Sequence, residues 1–160
     1  MSDLKQHIVQ GTITSSVLFP FIGKDAFIVG ASVVLIDLDH IIEYIHASGT
    51  FDVKGMFNLR NIAKNHLHEV IGLNIFHTIE CYLVLLTLGI FVNSLFLYIL
   101  SGFIIHHIFD QIYLVKLGYP FVRAFSIVEY CFRSKRLLTI KQLLKTVALK
   151  DKLSGNQEIN

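Results

Sequence analysis

The sequence predicts an all-α protein, a bundle of about five to seven helices with several of them embedded in a membrane. The first observation is composition: 53% of the 160 residues are hydrophobic and only 16% are charged, where soluble domains carry about 25% charged residues. The second is the 25-residue stretch 81–105, which contains no charged side chain and exceeds the roughly 20 apolar residues that cross a bilayer. Such a composition is atypical of cytosolic proteins.

The first half of the chain predicts three helices separated by polar turns. Residues 8–20 mix apolar with small side chains, as in a helix that packs closely on its neighbours. A turn at residues 23–25 precedes an apolar helix that starts at residue 26 and continues toward residue 46. A polar loop then extends through residue 55, and residues 58–70 have the composition of a more hydrophilic helix.

The second half starts with the uncharged stretch 81–105, for which two structures are open. It forms either one membrane crossing or, with a turn at Asn93 and Ser94, a hairpin of two shorter helices. A buried hairpin in a soluble helical protein has the same pattern. After a break at residues 118–120, a further apolar segment covers residues 121–132.

The C-terminal segment, residues 133–153, is predicted as a basic amphipathic helix that follows a helical metal-site domain over residues 1–132. Leu137, Ile140, Leu144 and Val147 share one helix face, with lysines largely elsewhere,. This face either packs on the domain or lies on a membrane surface. Nine of the fourteen Lys and Arg residues follow Asp110, which favours anionic lipid headgroups or the cytoplasmic side of a membrane. Residues 154–160 are predicted to be a disordered tail.

Several classes of function are excluded by what the chain lacks. Its two cysteines have no CxxC spacing, which argues against a thiolate zinc site or a disulfide scaffold,. There is no Gly-rich phosphate loop, no nucleophile elbow and no nucleic-acid signature. The N-terminus lacks the basic region and the cleavage site of a removable signal peptide.

Histidines and acids instead cluster at the ends of the apolar segments. His106 and Asp110 are four residues apart and share one helix face, close enough to chelate one cation. An unpaired ionisable group at such a position is costly to bury and usually marks function. Together with two similar clusters and an N-terminal histidine, the predicted metal ligands are His7, Asp37, Asp39, His40, His77, Glu80, His106 and Asp110.

Each cluster also has a structural interpretation. The run 37–40 would be a helix end meeting water, and its acids converge only at a helix end or kink, because a regular helix directs them to different sides. Glu80 would complement the dipole at a helix start, which leaves His77 unexplained. His107 points about 100° away from His106 and is expected either to support a ligand from behind or to be structural. Gly102, one turn before His106, would let another helix approach closely.

The order of these motifs resembles the membrane-bound predicted metal-dependent hydrolases, the family that includes the LexA-regulated inner-membrane proteins. The resemblance covers residues 5–115 in outline and rests on His7 and on the runs 37–40, 76–80 and 102–110. It implies a multi-pass protein of the bacterial inner (cytoplasmic) membrane. A more distant similarity, in motif chemistry alone, is to zinc-dependent phospholipases C and single-strand-specific zinc nucleases, and it implies phosphoester hydrolysis.

The chain departs from the family pattern at two places. Ile36 stands where many members have Pro, and Gly72-Leu73 stand where many have His-Arg. The second departure removes one ligand or phosphate-binding arginine, so the family's usual substrate does not carry over automatically.

These observations predict one buried site for a divalent metal ion, with zinc as the first choice and manganese or iron as alternatives. Eight ligands allow either one ion or two. We expect hydrolysis of a phosphoester or a lipid-borne substrate by a metal-activated water, with Asp39 or Glu80, whichever is not a ligand, as the general base. Besides that substrate, the lipid bilayer is the expected partner. One alternative is a non-enzymatic membrane protein with a structural metal site or a proton or ion pathway; another is a soluble all-α domain.

Overall fold

The computed structural model describes residues 4–52, 55, 66 and 69–155, and they are mostly helical, which confirms the predicted fold class in outline. The helices are α1 (Leu4–Ile22), α2 (Ala26–Leu35), α3 (Leu38–Ser48), α4 (Ile79–Phe91), α5 (Leu95–Lys116), α6 (Ile127–Arg133) and α7 (Ile140–Gly155). Single 3-10 turns cover Gly23–Asp25 and Ile75–His77. The helix predicted over 58–70 lies outside the described residues except at positions 66, 69 and 70.

Helix α2 packs between α1 and α5, and glycines set both contacts. A Cβ atom on Gly30 would lie 2.5 Å from the carbonyl oxygen of Gly11 in α1. A Cβ atom on Gly102 in α5 would lie 2.5 Å from the carbonyl oxygen of Val29 in α2. Side chains essentially never come this close to a backbone, so glycine is what permits both helix contacts. The close approach predicted at Gly102 is confirmed.

Residues 81–105 form a hairpin of two helices rather than one continuous helix. The chain turns at Asn93, whose Oδ1 accepts a hydrogen bond from the Leu95 N–H at 2.9 Å. Helix α4 begins after Thr78, whose hydroxyl oxygen caps it by accepting the Cys81 N–H at 3.4 Å,. The turn brings α4 alongside α5.

The C-terminal part of the chain packs on α3 and includes two strands that the sequence did not predict. Strand β1 (Val70–Ile71) pairs in parallel with β2 (Leu138–Thr139). Both strands are two residues long, too short to display the alternation that identifies a strand in a sequence. The Leu138 N–H donates to the Glu69 carbonyl at 2.8 Å, and this pairing delays the last helix to Ile140. The last helix therefore begins seven residues after position 133, where the amphipathic segment was predicted to start.

Helix α7 contributes its apolar face to a small core with α3 and β1. The buried members of this core are Tyr44, Val70 and Leu143. Of the predicted apolar stripe, residues 137, 140, 144 and 147, the last three pack against this core. A membrane-surface role for the helix stays a prediction. Residues 154 and 155 belong to α7, and the rest of the predicted tail lies outside the described residues.

Two helical stretches, Lys5–Ser48 and Leu95–Lys116, are long and apolar enough to cross a membrane. In their most apolar windows, only 33% and 22% of the residues are buried inside the protein. Large apolar side chains face outward on these stretches and on α4, as at Phe21 (81% exposed) and Phe91 (80% exposed). Monomeric soluble proteins rarely expose contiguous apolar surface on this scale. The outer faces of these helices are therefore suited to contact with lipid or another protein.

Candidate metal centre

Asp37, Asp39 and His40 lie at the junction between α2 and α3. Helix α2 ends at Leu35 and α3 begins at Leu38. This interruption lets two carboxylates that are two residues apart approach the same imidazole, as expected for a helix end or kink. His40 Nε2 lies 3.2 Å from Asp37 Oδ1, and His40 Nδ1 lies 3.9 Å from Asp39 Oδ1.

His106 reaches this junction from α5. Its Nδ1 donates to the Val33 carbonyl oxygen at 2.8 Å, so in the neutral imidazole Nε2 carries the lone pair. Nε2 lies 3.4 Å from Asp37 Oδ1 and 3.4 Å from Asp110 Oδ2. Three acceptors then face one another in a buried place, which requires either a second proton on the imidazole or a cation among them.

His77 enters from the 3-10 turn before α4 and is held by Asp39. Its Nδ1 donates to Asp39 Oδ2 at 2.9 Å, and the Phe76 N–H donates to the same oxygen at 3.2 Å. Burial lowers the pKa of His77 to about 4, against the opposing effect of the Asp39 hydrogen bond. The ring is therefore neutral near pH 7 and its Nε2 has a free lone pair. A carboxylate behind a histidine is the usual support of a metal-ligating imidazole.

Four buried atoms at this place make no hydrogen bond within the part of the chain that the structure describes. They are Asp37 Oδ1, Asp39 Oδ1, His77 Nε2 and His106 Nε2. More than about 90% of buried polar groups in proteins are hydrogen-bonded. Four such atoms without a hydrogen bond therefore require an explanation, although Asp37 Oδ1 lies within ion-pairing distance of His40 Nε2, at 3.2 Å. All four are atoms of the kinds that ligate divalent metal ions. A cation at this place would satisfy them.

Two groups of described residues bring one ligand atom from each member within 4.8 Å of one another. The first ligand group is Asp37, His77, His106 and Asp110, and the second ligand group is Asp37, Asp39 and His40. Asp37 belongs to both groups, so its carboxylate is placed to serve one ion or to bridge two. Imidazole nitrogen and carboxylate oxygen are the donor set of zinc, manganese and iron sites. The residues present therefore fit a divalent metal ion.

His7 lies beside these groups, at the N-terminal end of α1. It is 1% exposed, and its Nε2 lies 3.0 Å from Asp37 Oδ2. Its ring stacks on that of His106 with 4.5 Å between the centroids. Thus α1 adds an imidazole to the site, as the sequence predicted, although His7 is a member of neither ligand group.

Glu80 has a different place from the predicted one. Its Oε1 accepts hydrogen bonds from the Ser126 hydroxyl at 2.6 Å and from the Ile127 N–H at 3.0 Å. These bonds tie the start of α4 to the start of α6. Glu80 is a member of neither ligand group among the described residues. Its Oε1 is engaged with α6, and its buried Oε2 makes no hydrogen bond among these residues.

Two buried residues of the site were not predicted from the sequence. Arg123, only 6% exposed, donates from Nη1 to Asp110 Oδ2 at 2.7 Å, and its Nη2 lies 3.5 Å from His40 Nε2. Asn74, 2% exposed, places Nδ2 2.7 Å from His40 Nδ1. The only signal for Arg123 was a single charge within the otherwise apolar segment 119–128.

His107 is a member of neither ligand group, but its ring lies beside the first one, 5.9 Å from the His77 ring between centroids. It also contacts the rings of Tyr82 and Phe125, at 6.1 Å and 5.7 Å. His46 is exposed, and His66 pairs with Glu69 at 3.3 Å.

The chain was compared with family models, with curated proteins and with solved structures. No match was found in any of the three comparisons. The site's own geometry therefore carries the functional argument.

Proposed function

We propose that this protein is a membrane-embedded, metal-dependent hydrolase of a phosphoester or lipid-borne substrate. The observation that carries the proposal is the convergence of two imidazoles and two carboxylates in the first ligand group, with their ligand atoms within 4.8 Å. The resemblance in motif order to the predicted metal-dependent membrane hydrolases supports the same conclusion. Zinc is the ion we propose, since buried sites with histidine and carboxylate ligands are typical of it.

The residues divide between holding the ion and preparing the reaction. His106 and His77 would offer Nε2, because each uses Nδ1 in a hydrogen bond that orients the ring. A bound divalent ion lowers the pKa of a coordinated water toward about 7 and polarises the ester. Asp39 is the proposed general base, since Oδ2 supports His77 while Oδ1 has no hydrogen bond among the described residues. Glu80, the other predicted base, also has one oxygen without a hydrogen bond among the described residues, but it belongs to neither ligand group, whereas Asp39 belongs to the second.

Accessibility favours an enzyme over the alternative of a closed structural metal site or a proton or ion pathway. A pathway would distribute its ionisable groups along the membrane depth, whereas these converge at one place. A closed clamp would bury every ligand. The side chains of Asp37 and His40 keep 18% and 15% of their surface exposed, so one edge of the site is open to water or substrate.

The membrane location is part of the proposal. It rests on the two long apolar stretches and on the exposed apolar faces of α1, α4 and α5. The excess of Lys and Arg after Asp110 puts the C-terminal end on the cytoplasmic side. We propose the bacterial inner membrane, following the resemblance. Fractionation tests this: protein that stays in the supernatant without detergent would contradict it.

The decisive experiment is elemental analysis of the purified protein beside a His106→Ala, Asp110→Ala double variant. Wild type should hold at least one zinc, manganese or iron per chain and the double variant close to none. His46→Ala removes an exposed histidine far from the site and is the matched control, with metal content as in wild type. Equal, near-zero metal in all three proteins would refute the metal site. A screen of phosphodiesters and phospholipids with the loaded protein then tests hydrolysis.

A further inference from the structure

Arg123 is a buried cation in the site. In the proposed function it neither coordinates the metal ion nor transfers a proton. Its side chain is 7% exposed and sits between the two ligand groups. Nη1 donates to Asp110 of the first ligand group at 2.7 Å, and Nη2 lies 3.5 Å from His40 of the second. Burying a guanidinium is costly even when it is paired, so its presence here calls for a reason.

The backbone around Arg123 holds the guanidinium in place. Residue 123 forms a parallel bridge with Gly72. The Gly72 N–H donates to the Val122 carbonyl and the Ala124 N–H donates to the Gly72 carbonyl, both at 3.2 Å. Ala124 is 1% exposed. These contacts fix the segment on both sides of Arg123, so the side chain is positioned before any ligand arrives.

The charges at the site leave a role for this cation. The carboxyl groups of Asp37, Asp39 and Asp110 belong to the ligand groups. Glu43, whose Oε2 accepts a hydrogen bond from Asn74 Nδ2 at 3.4 Å, adds a fourth carboxyl group beside them. One divalent ion would leave part of this negative charge for Arg123 to balance. A second divalent ion would lie close to the guanidinium of Arg123 and would be repelled by it.

A guanidinium has five N–H donors in a planar fork, which suits two oxygens of a phosphate better than a single carbonyl. Among the described residues, the hydrogen-bonding contacts of the Arg123 fork are with Asp110 Oδ2 and His40 Nε2. Donors are therefore left for a ligand that also approaches the ion.

We propose that Arg123 and the metal ion together form an anion subsite that recognises the phosphate group of the substrate. The proposal rests on the proposed function and narrows its substrate class to phosphate esters. Arg123 would bind a non-bridging oxygen of the phosphate and stabilise the charge that develops during hydrolysis.

The test measures binding of inorganic phosphate to zinc-loaded protein by titration calorimetry, per bound zinc. Arg123→Met removes the charge, Arg123→Lys keeps it but loses the fork, and exposed Arg136→Met is the matched control. We expect phosphate affinity to fall about 10–100-fold in Arg123→Met, which removes charge-assisted hydrogen bonds. Arg123→Lys should fall by less, and Arg136→Met should equal wild type.

The outcomes separate this proposal from the one on which it rests. The subsite is refuted if both Arg123 variants bind phosphate as tightly per bound zinc as wild type does. This holds even if the variants contain less zinc, because Arg123 would then only position Asp110. Wild type that takes up no zinc overturns the proposed function itself. A second arm titrates short-chain phosphatidic acid in detergent: tighter binding than inorganic phosphate assigns the phosphate to a lipid headgroup, and equal binding assigns it to a soluble ester. Either result supports the subsite if Arg123→Met weakens it.

Discussion

Replacement of Gly102 by alanine should separate α5 from α2 and weaken metal binding without removing any ligand. The added Cβ would lie 2.5 Å from the Val29 carbonyl oxygen and 2.6 Å from the Ser32 Cβ, where ordinary contacts begin at 3.4 Å. The two helices must therefore move apart by about 1 Å at this point, since backbone atoms cannot yield as a flexible side chain does. His106 lies one turn further along α5 and moves with it.

The expected loss follows from three contributions. Alanine gains about 1 kcal/mol over glycine in helix propensity. Overpacking against backbone costs about 1–3 kcal/mol, and stretching the 2.8 Å bond between His106 and the Val33 carbonyl costs about 1 kcal/mol more. The net free energy of unfolding should fall by about 1–3 kcal/mol. Metal affinity should fall about 10–100-fold, the usual effect of losing a support behind a ligand.

The assay combines thermal unfolding in detergent with zinc affinity measured by competition with a chromophoric chelator. Gly89→Ala is the matched control: the Cβ added there crowds a second helix pair, α4 and α5, at the Leu97 side chain, with the Leu97 backbone nitrogen at 3.2 Å. Gly89 lies in α4 and touches no ligand, so the control should keep wild-type zinc affinity. A folded Gly102→Ala variant that binds zinc as tightly as wild type would refute the link between this helix contact and the site.

Two further predictions concern the carboxylates. Asp39→Asn should lower zinc affinity about 10–100-fold without changing the fold, because a neutral amide supports His77 less well than the carboxylate that lies 2.9 Å from its Nδ1,. The same competition assay measures this affinity, and an unchanged value would contradict the supporting role of Asp39. Glu80→Gln should lower the melting temperature and leave the zinc content unchanged, because the hydrogen bonds to Ser126 and Ile127 weaken by about 1–2 kcal/mol in total,. Loss of zinc in this variant would instead show that Glu80 is a metal ligand.

The sequence predicted the parts of the site that depend on helix geometry. His106 and Asp110 share a face because they are four residues apart, and Asp37 joins His40 because the helix breaks between α2 and α3. These relations are local, so spacing in the chain is enough to indicate them.

The parts that were missed depend on contacts between distant segments. Arg123 is placed by backbone hydrogen bonds to Gly72, which leave no side-chain pattern in the sequence. Glu80 was predicted as a ligand because it follows His77 by three residues. The structure instead pairs it with Ser126, 46 residues away. The two parallel strands also pair residues that are distant in the chain, and each strand is too short, at two residues, to show a strand pattern in the sequence.

The interruption between α2 and α3 has a consequence for the depth at which the candidate metal centre would lie in a membrane. Helix α5 has 22 residues and is about 33 Å long, close to the thickness of a bilayer core. His106 lies near its middle, so a membrane-spanning α5 would set the broken helix and its carboxylates about 15 Å below either surface. Irregular backbone at that depth is stable only where it lines a polar cavity. A membrane-spanning α5 would therefore require a polar cavity that reaches from the interface to this junction, and the width of that cavity would limit which ligands reach the metal-ligating side chains.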